Sequence, residues 1–177
     1  MNFLLYIIYI VVLITPSYPT VPGTLVCQGF GDMPKGAVEP HTGIDFKVPV
    51  GTNVYADVDG RVIEEHNNDR IYGRFIMILH PDGNASLYAH LSAFKVEVGD
   101  YVRGGDLVAL SGGNPDDNIE GDGVSSGAHL HWEVRAKGHI HNYKYNVDPI
   151  EYLQLFYDTS YYYCLPINIE NKYYIRT

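Results

Sequence analysis

The chain has 177 residues, 46% of them hydrophobic, which is one domain in size with enough apolar content for a core. Its 12 Lys and Arg against 21 Asp and Glu give a formal charge of -9, which excludes the basic face a nucleic-acid binder needs. Nucleotide chemistry has no foothold either, since the sequence lacks a glycine-rich phosphate loop and a dinucleotide fingerprint.

The first element in chain order is an apolar run from Phe3 to Ile14 that stops at Pro16 and turn-forming residues. It is shorter than the roughly 20 residues of a spanning helix and reads as a secretory signal peptide over 1–17, cut between 17 and 20. Export would make the protein extracellular or periplasmic. In that setting Cys27 and Cys164, the only cysteines, are an expected disulfide.

After a lead punctuated by Pro and Gly, short alternating runs separated by Gly and Asp/Asn turns give an all-β pattern. Strands are expected at 43–48, 53–65, 74–80, 85–91, 101–111 and 128–135. Pro81, Asp82, Gly83 and Asn84 supply the turn of the clearest hairpin, and such short connections favour antiparallel pairing. Residues 111–127, SGGNPDDNIEGDGVSSG, form the longest irregular connection, and loops of that length in a compact domain are usually functional or disordered. Asp148 and Pro149 open a short closing helix as cap and first helical residue, and a tyrosine-heavy tail occupies 156–177.

Eight histidines invite a metal reading, but one His-X-His pair carries little weight, since His129/His131 and His139/His141 both form one. Geometry is more informative. Side chains alternate along a strand, so His129 and His131 share one face while Leu130, Trp132 and Val134 point to a core. An extended 41–45 likewise puts His41 and Asp45 on one face and turns Ile44 and Phe46 inward. Two imidazoles and one carboxylate, with one position left for water, are the donor set of a catalytic zinc centre. A site drawn from His41, Asp45 and one of the paired histidines leaves the other for proton chemistry.

The motifs HTGIDF (41–46), LYAHLS (87–92) and SGAHLH (126–131), closed by Asp148 and Pro149, occur in an order that resembles the lysostaphin-type M23 metallopeptidases. The resemblance extends over about residues 28–155. It implies a mainly antiparallel β-sandwich or open barrel with a short C-terminal helix. It also implies one zinc ion per chain, held by His41, Asp45 and His131, with His90 and His129 as the catalytic pair. The implied reaction is peptide-bond hydrolysis in the stem peptides or crosslinks of bacterial peptidoglycan, by a monomer whose partner is that substrate.

The same fold also carries catalytically silent regulatory modules and a secreted zinc-binding signalling protein; His90 beside a full ligand set separates an enzyme from these. The chain departs from the family pattern twice. No residue ahead of His41 matches the tyrosine that some members place near the oxyanion, and the loop at 112–127 is longer than the usual compact turn. Elsewhere, His80 is expected to be structural and His66 a solvated loop residue. Glu133 is expected either to accept from a histidine or to be an exposed strand residue.

Overall fold

A computed structural model describes residues 16–116 and 121–158, together with the strand backbone of 9–13 and 162–166. The elements run β1 (Tyr9–Leu13), β2 (Val26–Gln28), β3 (Ile44–Phe46), β4 (Asn53–Tyr55), β5 (Gly60–Asp69), β6 (Gly73–Leu79) and β7 (Ala85–Ala89). They continue as β8 (Leu91–Phe94), β9 (Tyr101–Val102), β10 (Leu107–Ser111), β11 (Leu130–Arg135), β12 (Asn146–Val147), α1 (Pro149–Asp158) and β13 (Tyr162–Pro166). Every strand pair is antiparallel. The expected all-β architecture with a short C-terminal helix is therefore what the chain adopts.

One large sheet has the order β2-β3-β11-β7-β6-β5-β9, with β12 beside β11. A smaller sheet has the order β4-β10-β8, and β1 pairs with β13. Alternation along the strands builds the core between them. Ile44, Phe46, Ile76, Ile78, Tyr88, Leu130, Trp132 and Val134 of the large sheet pack with Val54, Leu91, Val108 and Ala109, and with Tyr152, Leu153 and Phe156 of α1. The opposite face of β6 and β7 buries Phe75, Met77, Ala85, Leu87 and Ala89 in a second cluster. Strands buried on both faces read as continuous apolar runs, which is how RFIMIL reads in the sequence.

The expected strands at 43–48 and 128–135 are shorter, as β3 and β11, and three others are divided. The run 53–65 breaks after Tyr55, where the Ala56 and Asp57 amides donate to the Asp106 carbonyl (2.9 Å) and the Tyr88 hydroxyl (2.8 Å) instead of to a ladder. The run 101–111 breaks at a turn closed by the Asp106 amide on the Arg103 carbonyl (2.9 Å). The run 85–91 breaks at His90, whose φ of 55° is positive, the only such non-glycine residue described. The helix opens as its sequence predicts: Asp148 Oδ1 accepts from the Ile150 amide at 2.8 Å.

Among the described residues Cys27 is an exposed thiol in no disulfide, and the side chain of Cys164 lies outside them. The expected leader lies mostly outside them as well. Among the described residues no helix is long and apolar enough to cross a membrane.

Candidate metal and catalytic site

The site grows from the register of three neighbouring strands. β11 lies between β3 and β7, so that His131 is paired with Asp45 on one side and with Ala89 on the other. Ile44 and Phe46 are held in the core, which turns Asp45 to the opposite face beside His131. On the other flank β7 ends at Ala89, and the left-handed backbone of His90 turns its ring to lie 5.9 Å from that of His131. His129 precedes β11 on a single bridge to Gly112, and its ring centroid is 4.6 Å from that of His90. Gly43 allows β3 to approach, because a Cβ there would press on the Trp132 carbonyl and lie 2.9 Å from Glu133 Cγ.

Three donor atoms converge. His131 Nδ1 lies 2.8 Å from Asp45 Oδ1, and His41 Nε2 lies 3.2 Å from each of them. Bonds of about 2.0 Å in a tetrahedral zinc site separate ligand atoms by roughly 3.3 Å, so this trio is close to the spacing such a cation requires. Among the described residues it is the one group of three with metal-ligating spacing. The far nitrogens of both rings are occupied: His41 Nδ1 donates to the Gly29 carbonyl at 2.9 Å, and His131 Nε2 donates to Glu133 Oε1 at 3.0 Å. Such acceptors fix which nitrogen faces a metal.

Glu133 is fully buried and not an exposed strand residue. Its Oε1 also accepts from Thr42 Oγ1 (2.5 Å) and the Tyr72 hydroxyl (3.0 Å), while Oε2 accepts from Arg135 Nε (2.9 Å). Burial works to raise its pKa, but the hydrogen bond and charge of His131, then Arg135, outweigh it and hold the carboxyl down at about 2. His131 is driven the other way: burial lowers it, yet hydrogen bonds to Asp45 and Glu133 bring it up to about 9 in the metal-free site. Asp45 is lowered despite burial, by hydrogen bonds from His131 and His41. His90 is pushed down to about 3, first by burial and then by the charges of His131 and His129, so it is neutral at pH 7.

His41, Asp45, His90, His129 and His131 line one cleft of about 310 Å³, with Gln28, Ile71, Tyr72, Val124 and Ser126 on its walls. His41 and Thr42 also border an adjoining depression of about 520 Å³ lined by Phe30, Tyr143 and Lys144. His129 Nε2 reaches to 3.9 Å from Asp45 Oδ1, so a further imidazole nitrogen stands beside the three-donor group. All five residues singled out in the sequence are therefore brought together.

The other histidines are elsewhere. His80 is buried between the Asp59 carbonyl and Ser86 Oγ, His66 lies in strand β5 and not in the expected loop, stacked on Phe75 of β6, and His139 stacks on Tyr145. Tyr72 sits in a turn with no pattern around it, so nothing in the sequence marks it. Burial and then the charge of Glu133 raise its phenol pKa.

The model of Peptidase family M23 matches residues 39–143. The chain is 44% identical over 98 residues to the DD-carboxypeptidase/endopeptidase Mpg of Neisseria meningitidis, covering 55% of this chain and 20% of that protein. It is 36% identical over 101 residues to the peptidoglycan DD-endopeptidase ShyA of Vibrio cholerae, covering 57% and 21%. The chain thus spans about a fifth of the length of these curated relatives. Among solved structures, the catalytic domain of the antimicrobial peptidase lysostaphin from Staphylococcus simulans superposes with a TM-score of 0.67 at 28% identity, covering 79% of this chain and 99% of that one. A zinc-containing peptidase from Vibrio cholerae gives 0.60 at 31% identity, covering 74% and 37%.

Proposed function

Because the chain belongs to peptidase family M23, we propose that it is a secreted zinc-dependent endopeptidase that hydrolyses peptide bonds in the stem peptides or crosslinks of bacterial peptidoglycan. The observation that carries this is the convergence of His41, Asp45 and His131 at 2.8 to 3.2 Å beside the His90–His129 pair. A silent binding module needs neither the pair nor its neutral, buried His90. The relatives named as peptidoglycan endopeptidases supply the substrate class. The secreted placement rests on the apolar N-terminal run. Residues 28–155 would be the catalytic unit, with 1–17 as leader and 156–177 as tail, acting as a monomer.

His41 Nε2, Asp45 Oδ1 and His131 Nδ1 would hold one zinc ion. Zinc bound there supplies Lewis acidity to the scissile carbonyl and lowers the pKa of the attacking water towards about 7. The chain's own residues do the rest. The imidazole pair takes a proton from the water at Nε2 as the water oxygen adds to the carbonyl carbon, and returns a proton to the amine nitrogen as the C–N bond breaks.

The test is peptide release from purified peptidoglycan by the zinc-loaded chain. His129→Ala is expected to keep its zinc and lose about 10²- to 10⁴-fold in rate. A zinc-loaded wild-type chain that releases no peptide removes the enzyme reading and leaves the metal site standing.

A further inference from the structure

We infer that residues 121–127, the end of the long loop before β11, form a positioning element that sets the tautomer of both His90 and His129. The inference deepens the proposed hydrolase and rests on it for its kinetic part only.

Two contacts carry it. His90 Nδ1 lies 2.7 Å from the Asp122 carbonyl oxygen, and His129 Nδ1 lies 2.8 Å from the Gly127 carbonyl oxygen. A carbonyl oxygen only accepts, so each Nδ1 carries the hydrogen, and in the neutral ring the lone pair is left on Nε2. A lone pair on Nε2 is what a base facing the cleft requires. One segment therefore prepares both rings of the pair. Ser125 Oγ stands 3.2 Å from His129 Nδ1 and within reach of the Gly113 and Gly127 carbonyls (2.5 and 2.9 Å), one of which takes its single hydrogen, and this pins the second contact.

The segment is held in turn by backbone contacts with the turn that opens β6. The Arg74 amide donates to the Gly121 carbonyl at 2.5 Å, and the Val124 amide donates to the Ile71 carbonyl at 2.8 Å. Asp122 Oδ1 accepts from the Gly113 amide at 2.9 Å, closing the loop on itself. The same turn holds His90, whose amide donates to the Tyr72 carbonyl at 2.9 Å. This packing leaves no space for side chains. A Cβ on Gly123, at φ +62°, would collide with the Ile71 carbonyl and the Gly73 amide, and one on Gly73, at φ +65°, would collide with the Gly121 carbonyl. Loop length beyond a compact turn thus has a use: it carries two carbonyls to two imidazoles.

The test is a long-range ¹H–¹⁵N spectrum of zinc-loaded protein labelled at histidine. In the wild type, His90 and His129 are both expected as the Nδ1–H tautomer. Gly123→Ala is expected to turn His90 into a tautomer mixture and lower kcat by about 100-fold, the scale of a catalytic group misplaced by an ångström. Zinc stoichiometry should stay at the wild-type value.

Should Gly123→Ala fail to fold, Asp122→Ala removes the clamp on Gly113, and Asp122→Asn, which keeps an accepting oxygen, is expected to restore both readouts. Finding either histidine as the Nε2–H tautomer in the wild type overturns the inference, as does a kcat loss in these variants with unchanged tautomers. A wild type that shows the expected tautomers and cleaves no peptide would instead sink the hydrolase reading alone.

Discussion

At His131 the two ring nitrogens face opposite demands. Nδ1 points at Asp45 and His41, and Nε2 at a buried carboxylate, so Glu133 decides which nitrogen is offered to a cation. The metal-free ring is protonated at neutral pH, because its pKa stands at about 9 through hydrogen bonds to Asp45 and Glu133 that overcome burial. A metal must displace that proton from Nδ1. Zinc binding at pH 7 is therefore expected to release about one proton from this ring, and the affinity to rise with pH until about 9. Calorimetry in buffers of different ionisation enthalpy reads the proton directly; no buffer dependence would contradict the assignment.

Glu133→Gln is expected to weaken zinc about 10- to 100-fold while the chain stays folded, measured by chelator competition. The three converging donors were legible in the sequence because HTGIDF and SGAHLH hold their spacing locally. The part played by Glu133 was not. Its burial comes from Thr42 and Tyr72, which lie 91 and 61 residues away in sequence, and a strand glutamate carries no mark of such company.

At the level of elements, the site is a consequence of how closely β3 lies against β11. The Asp45–His131 pairing holds only if nothing separates the strands at residue 43, where a side chain would strike the Trp132 carbonyl and crowd His131 Cε1 at 3.0 Å. Gly43→Ala is expected to cost about 1 to 3 kcal/mol of stability, the usual range for overpacking, and to weaken zinc as the ligand atoms move apart. Urea denaturation with and without zinc separates the two effects. A variant as stable and as tight for zinc as the wild type would show that the approach is not needed.

Alternation made the strands and the shared face of His129 and His131 readable. The break at His90 was not readable, because LYAHL continues a strand pattern while tertiary hydrogen bonds force its backbone out of one. The His90 amide is taken by Tyr72, and its carbonyl accepts from Gly112 at 2.7 Å. Local pattern carries no information about partners on other elements.

For the whole molecule, the buried carboxylate of Asp57 ties the elements together beneath the site. It lies between β4 and β5 and accepts from the Tyr88 hydroxyl at 2.6 Å, from Trp132 Nε1 at 3.2 Å and from Ser86 Oγ. Tyr88 and Ser86 belong to β7 and Trp132 to β11, so one side chain links the corner near the small sheet to the strand that carries His131. Burial, and then the charge of Asp57, raise the Tyr88 pKa well above 10. The folded state therefore keeps this proton to higher pH than the unfolded chain, where a phenol titrates near 10. The stability it contributes is complete below about pH 10 and is lost as pH climbs from there towards the folded value.

Tyr88→Phe removes both the proton and one donor to a buried carboxylate. At pH 8 it is expected to destabilise the fold by about 1 to 3 kcal/mol. Above pH 10 the wild type loses its advantage and the phenylalanine variant does not, so the gap between their urea midpoints should narrow between pH 8 and pH 11. A gap that stays constant would mean that Tyr88 has the same pKa in both states and that the network is not what holds its proton.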